Sequence, residues 1–215
     1  AYVIGLSGAL TGPVAGTYAP AIEGLQIYID RLNAEGGIDG RPVELIVLDD
    51  SGEASRGATN TRRLLNQDNV ILLINASLSA TFAPMIQDAQ RRGVPLLFAS
   101  SVCPSEVYPP AEELLFCSTA FAAEYDSAAT LAFIEETAGT TELDIGLVAM
   151  AIPLSRAEIE SAAVIAEERG MNPVEVSIIP PPTADYTPFA TRISEQGAEW
   201  VCSWAPWVTQ VRTFE

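Results

Sequence analysis

Short apolar runs rich in β-branched residues alternate along the chain with stretches of 3.6-residue periodicity. That pattern predicts strands alternating with helices, and hence βαβ units built on parallel sheets. Tyr2 to Ser7 reads as a buried strand. After a loop over Gly8 to Thr17, a helix carries Ile22, Leu25, Ile29 and Leu32 on one face until Gly36-Gly37 stops it. Val43 to Leu48 is the second strand and ends in Asp49-Asp50; a helix from about Glu53 to Asn66, a strand from Val70 to Ile74, a helix from about Ala80 to Arg92 and a short strand Pro95 to Phe98 follow. The stretch Ala99 to Glu113 breaks this rhythm. It is long and proline-rich, has Cys103 within it and Cys117 just beyond, and leads into a fifth strand, Leu114 to Cys117.

A second series begins with a helix from about Glu124 to Ala138. It continues with strand Asp144 to Ala149, helix Arg156 to Arg169, strand Val174 to Ile179, helix Tyr186 to Gln196 and strand Trp200 to Ser203. Val208 to Glu215 starts a helix and stops within about two turns. The expected architecture is therefore two α/β lobes, residues 1–120 and an incomplete second lobe over residues 121–215. Each is a parallel sheet flanked by helices, and the chain reads as about the first two-thirds of a longer protein. Open sheets of this kind bind ligands outside the carboxyl ends of their strands.

Composition narrows the chemistry. All 11 basic residues are arginine; there is no lysine and no histidine. That removes Ser-His and Cys-His nucleophile pairs, imidazole metal ligands, the P-loop lysine and Schiff-base chemistry. A net charge of −17 argues against a nucleic-acid backbone or an anionic membrane as partner. No apolar run approaches the roughly 18 residues of a membrane span, so direct membrane insertion is not expected. The chain opens directly on strand-like sequence, as expected of an exported protein whose leader has been removed.

Four fragments stand in order. They are Gly8-Ala9-Leu10-Thr11-Gly12-Pro13 after the first strand, Asn33-Ala34-Glu35-Gly36-Gly37-Ile38-Asp39-Gly40 after the first helix, Leu48-Asp49-Asp50 after the second strand, and Asp185-Tyr186 before a later helix. Together they resemble the extracellular solute-binding proteins of branched-chain amino-acid ABC transporters, the leucine/isoleucine/valine-binding protein family with the type I periplasmic-binding fold. The resemblance implies a two-lobed Venus flytrap, periplasmic or extracellular, that is not an enzyme and needs no cofactor. It would close on a small carboxylate-bearing ligand, a branched-chain or other hydrophobic amino acid, and present it to a membrane permease. Aromatic or other hydrophobic carboxylic acids, and amide or urea-type ligands in a sensor of the same fold, are the alternatives.

The resemblance also distributes site roles. It places the ligand carboxylate on Ser79 with Thr81 beside it, where a helix N-terminus and hydroxyls make an anion site without a cation; capping of that helix by Ser77 or Ser79 is the plainer reading. Ser100, Ser101 and Val102 form the second wall, with Val102 standing where relatives often carry a hydroxyl. Thr17 and Tyr18 fall where relatives set an aromatic against the ligand side chain. The second lobe offers Tyr125, Asp126, Ser155 and Trp207. Asp126 would serve equally as a helix cap, and Ser155 replaces a tyrosine of amino-acid-binding relatives. In an exported protein Cys103 and Cys117 pair as a disulfide, leaving Cys202 as a buried thiol. No metal site is expected: Asp49 to Glu53 reads better as a strand end and helix cap than as a cation loop.

Overall fold

The computed structural model describes residues 1–99, 103–108, 112–118, 123–181 and 183–204, with side chains described from residue 127 onward in the helix that begins at Ala123. The chain divides into two compact units, Ala1–Ala120 and Phe121–Glu215.

The first unit is built from β1 (Tyr2–Gly8), α1 (Ala15–Ala34), β2 (Val43–Asp49), α2 (Ala54–Asn66), β3 (Leu72–Ala76), α3 (Phe82–Arg92), β4 (Leu96–Phe98) and β5 (Leu115–Cys117). All five strands run parallel in the order β2-β1-β3-β4-β5. Because side chains alternate across a sheet, the register fixes two faces. Leu6, Ile74, Leu97 and Phe116 stand in one row, and Ser7, Asn75, Phe98 and Cys117 in the next. The second row lies on the side of α2 and α3: Gly5 sits so close to Leu64 of α2 that a Cβ would come within 2.9 Å, and the rings of Phe82 and Phe98 are 4.7 Å apart. On the other face α1 packs through Ile22 and Ile29. Beside it runs an apolar groove of about 260 Å³ between α1 and the rows of Leu6, Ile74 and Leu97, ending at Ala76 and Ala99.

The Asn33 to Gly40 fragment is a structural joint. The Asn33 amide closes a pair of 2.8 Å hydrogen bonds with the backbone of Val43, tying the end of α1 to the start of β2. Gly37 has φ +73°, and a Cβ there would lie 2.1 Å from the Arg41 carbonyl oxygen, so no other residue fits. The helix itself starts at Ala15 rather than after Thr17, and carries Pro20 inside it. Here Val14, 2% exposed, anchors the entry and the loop is correspondingly shorter.

The second unit contains α4 (Ala123–Ala138), β6 (Asp144–Met150), α5 (Pro153–Glu168), β7 (Asn172–Ile179), α6 (Thr187–Glu195) and β8 (Trp200–Trp204), with a parallel sheet ordered β7-β6-β8. Leu131 and Ile134 of α4 and Ile159, Ala162 and Ala166 of α5 bury one face against Ile145, Leu147 and Cys202. Ile193 of α6 closes on Val148 and Ile179 from the other. The helix α5 starts three residues before the sequence pattern indicates, because Pro153 occupies the first turn, where its missing N–H costs nothing. The parallel α/β class and its alternation of strand and helix are thus as the sequence pattern indicates. The boundaries move by one to three residues where caps and prolines decide them.

Candidate functional site

At the carboxyl edge of the first sheet three loops pack into one cluster: residues 8–14 after β1, 49–53 after β2 and 76–81 after β3. The Ala9 N–H donates to Ala76 O at 3.1 Å, and the Asp50 N–H to Gly8 O at 2.9 Å. Gly52, at φ +78°, leaves so little room that a Cβ would lie 3.0 Å from the Leu78 side chain.

Two adjacent carboxylates organise this cluster in opposite ways. Asp49 accepts from the N–H groups of Leu10, Thr11 and Ser51 at 3.0, 3.2 and 3.0 Å, and from the hydroxyls of Thr11 and Ser51. Burial pushes its pKa up, but the Thr11 hydroxyl and the Ser51, Thr11 and Leu10 amides outweigh it and bring the group from 3.8 down to about 2. Asp50 is fully buried. It accepts the Ser7 hydroxyl at 2.7 Å, the Ser77 hydroxyl at 2.6 Å and the Gly52 N–H at 2.9 Å. Desolvation nevertheless holds its pKa above the ordinary value, since those donors only partly offset burial and Asp49 adds repulsion. Both carboxylates face N–H and O–H donors, the reverse of what a cation would require. Glu53 is paired with Arg56 at 3.1 Å.

The helix start after β3 is a 3₁₀ turn, Ser79–Thr81, running into α3. Neither Leu78, at the head of the turn, nor Thr81, at the head of α3, makes a side-chain cap. Ser77 does not cap the helix but is drawn down to Asp50, and Ser79 sits inside the turn, 8% exposed. Thr81 is fully buried; its hydroxyl donates to Leu78 O at 2.8 Å and accepts from Asn75 Nδ2 at 2.8 Å, which makes it a brace of the turn. Thr17 and Tyr18 fall in the first turn of α1. Tyr18 is only 5% exposed, whereas the Thr17 hydroxyl oxygen is buried and has no hydrogen-bond partner among the described residues.

In the second unit Ser155 is the third residue of α5 and not part of an open strand exit; it is 1% exposed, and its hydroxyl also has no partner among the described residues. Arg156 points to Glu160 at 3.6 Å, a solvated i,i+4 pair. Asp126 is the fourth residue of α4, so it is not that helix's cap; the side chains of Tyr125 and Asp126, and all of Ser100, Ser101, Val102 and Trp207, lie outside the described residues. Cys103 and Cys117 are joined by a disulfide with Cα atoms 5.8 Å apart. Cys202 is a buried free thiol; desolvation and then the nearby Glu158 carboxylate push it up to about 11. Among the described residues no group of three His, Cys, Asp or Glu side chains could hold a metal, and no helix is long and apolar enough to cross a membrane.

The Asp50 knot was missed at the sequence level. Its signal would have been Ser7 near the end of β1 with Asp50 and Ser77 just past the ends of β2 and β3, each two residues beyond the register partner of Ser7, which requires the strand order β2-β1-β3 to be known.

The family model described as periplasmic binding protein matches residues 1–213. The chain belongs to the periplasmic binding protein family. Over 101 residues it is 30% identical to the Leu/Ile/Val-binding protein BraC3 of Rhizobium johnstonii, a stretch that covers 47% of this chain and 27% of that protein. Among solved structures it is similar in fold to the branched-chain amino acid transporter substrate-binding protein LivJ from Streptococcus pneumoniae in complex with isoleucine. The TM-score there is 0.78 at 21% identity, over 94% of this chain and 56% of that one. The solute-binding protein of an ABC transporter from Rhodopseudomonas palustris, in complex with 3,4-dihydroxybenzoic acid, gives a TM-score of 0.82 at 15% identity, over 95% and 54%. The chain thus spans about half the length of these two solved structures.

Proposed function

We propose that this periplasmic binding protein chain is part of an exported substrate-binding component of an ABC transporter. It captures a small carboxylate-bearing ligand between two lobes, residues 1–120 and 121–215 with what completes the second, and hands it to a membrane permease without chemical change. The observation that carries the reading is the helix start after β3, on the carboxyl edge of a central strand and without a side-chain cap. Amide and hydroxyl donors there suit a carboxylate in a chain that has no lysine or histidine to offer. The buried hydroxyls of Thr17 and Ser155 support it, since an unsatisfied buried hydroxyl is costly and a polar ligand group would relieve it.

The ligand favoured is a branched-chain or other hydrophobic amino acid, in keeping with the BraC3 relative. An aromatic carboxylic acid is the second reading. It is favoured by the small Ser155 on the second lobe and by the dihydroxybenzoate held in the Rhodopseudomonas palustris structure. A thermal-shift series of the protein with aliphatic and aromatic amino acids, hydroxybenzoates, short amides and urea separates these classes. A ligand at a hundred times its Kd stabilises by about 2.7 kcal/mol. Ser79→Ala is expected to lower the affinity of whichever class responds; an unchanged affinity would refute the carboxylate assignment.

A further inference from the structure

We propose that Asp50 is a positioning residue for the ligand loop: it holds the 76–81 segment in register with β1 and thereby sets the affinity at Ser79. The affinity part of this rests on the binding function proposed above.

Asp50 directly follows β2, the outermost strand of the ordered edge β2-β1-β3, yet its two oxygens reach across the end of β1 to the loop after β3. One oxygen takes the Ser7 hydroxyl, 43 residues away in sequence; the other takes the Ser77 hydroxyl, 27 residues away, together with the Gly52 amide. Ser7, Asp50 and Ser77 are all fully buried. Around this centre Asn60 Nδ2 donates to Ser7 Oγ at 3.2 Å and to Asp49 O at 3.1 Å, and the Ser77 N–H donates to Asn75 Oδ1 at 3.1 Å. Asn75 in turn braces Thr81. The two ends of the loop segment are therefore anchored by side chains, Ser77 by Asp50 and Thr81 by Asn75, with Ser79 between them. A carboxylate suits the first anchor because it accepts three donors at once; an asparagine offers one acceptor oxygen and turns two N–H donors toward hydroxyls already donating.

The test uses the intact protein with Asp50→Asn, Ser77→Ala and the double variant. Deuterium uptake is followed in the peptide covering residues 76–82 without ligand, and binding is measured with L-isoleucine and 4-hydroxybenzoate. Each single variant is expected to speed exchange in that peptide while the strand peptides of β6 and β7 stay unchanged. Each is also expected to weaken the responding probe by about tenfold, with the double variant no weaker than either single one by more than about twofold, since both act through one bond. Additive losses, or unchanged loop exchange in both single variants, would overturn the assignment. So would a looser loop with unaltered affinity. If wild-type protein binds neither these probes nor any other small acid, the transport reading fails, while the exchange data still decide whether Asp50 holds the loop.

Discussion

The sharpest energetic consequence of the loop cluster concerns Asp49 rather than its neighbour. Its carboxylate is held by three backbone amides and two hydroxyls, and its pKa falls from 3.8 to about 2. A shift of close to two units sets an upper limit of about 2.5 kcal/mol, at roughly 1.36 kcal/mol per unit. Because the side chain is partly open to solvent, we reduce this to on the order of 1–2 kcal/mol. Asp49→Asn removes the charge and one acceptor while keeping the shape. The first unit is expected to lose that amount at pH 7, roughly 5–10 °C in Tm for a domain of about 120 residues.

The pH dependence has a definite sign. A carboxyl whose folded pKa lies below its unfolded value contributes stability that is complete above about pH 4 and disappears as pH falls through 2. The gap between wild type and Asp49→Asn should therefore narrow to about half by pH 3. Asp50 works the other way. Its raised pKa gives a contribution present at low pH and lost as pH rises through the folded value. The assay can be localised, because all three tryptophans, Trp200, Trp204 and Trp207, belong to the second unit. Urea unfolding followed by far-UV circular dichroism reports both units, whereas tryptophan fluorescence reports the second. A variant that shifts the fluorescence transition as much as the dichroism one, or whose deficit persists undiminished at pH 3, would refute this account of Asp49.

Three further outcomes follow from charge and sulfur. With a net charge of −17 the native state repels itself, so Tm should rise between 10 mM and 0.5 M NaCl, as the screening length shrinks from about 30 Å to a few ångströms; a fall would mean that the exposed ion pairs matter more than the imbalance. Reducing the Cys103–Cys117 disulfide should cost the first unit about 3 kcal/mol by the chain-entropy account for a loop of this length, read from urea midpoints with and without reductant; equal midpoints would show that the reduced chain keeps the loop closed. Cys202, pushed up to about 11, should resist aromatic disulfide reagents at pH 8 in the native protein and react promptly in urea, and rapid native labelling would contradict its burial.

Periodicity carried the fold well, because a parallel strand buried on both faces leaves an apolar run that polar turns interrupt cleanly, as at Tyr2–Gly8, Leu72–Ala76 and Asp144–Met150. Helix starts were less legible. Pro153 opens α5 at a position that suits proline, whereas Pro20 lies inside α1 against the usual placement of proline, in a helix that buries Tyr18, Ile22 and Ile29. The site divides along the same line. Hydroxyls at strand ends were visible as Ser77, Ser79 and Thr81, but what Ser77 and Thr81 bond to was not. Ser77 is taken by Asp50, a pairing that exists only once β1 lies between β2 and β3, and Thr81 by Asn75 six residues before it. The Asp49-Asp50 dipeptide shows the limit most clearly. Two identical residues, one the last of β2 and the other directly after it, meet different surroundings: one meets amides near solvent and becomes a stronger acid, the other is buried among hydroxyls and becomes a weaker one. Sequence alone assigns the pair a single role as a strand end, whereas strand order gives each residue its own.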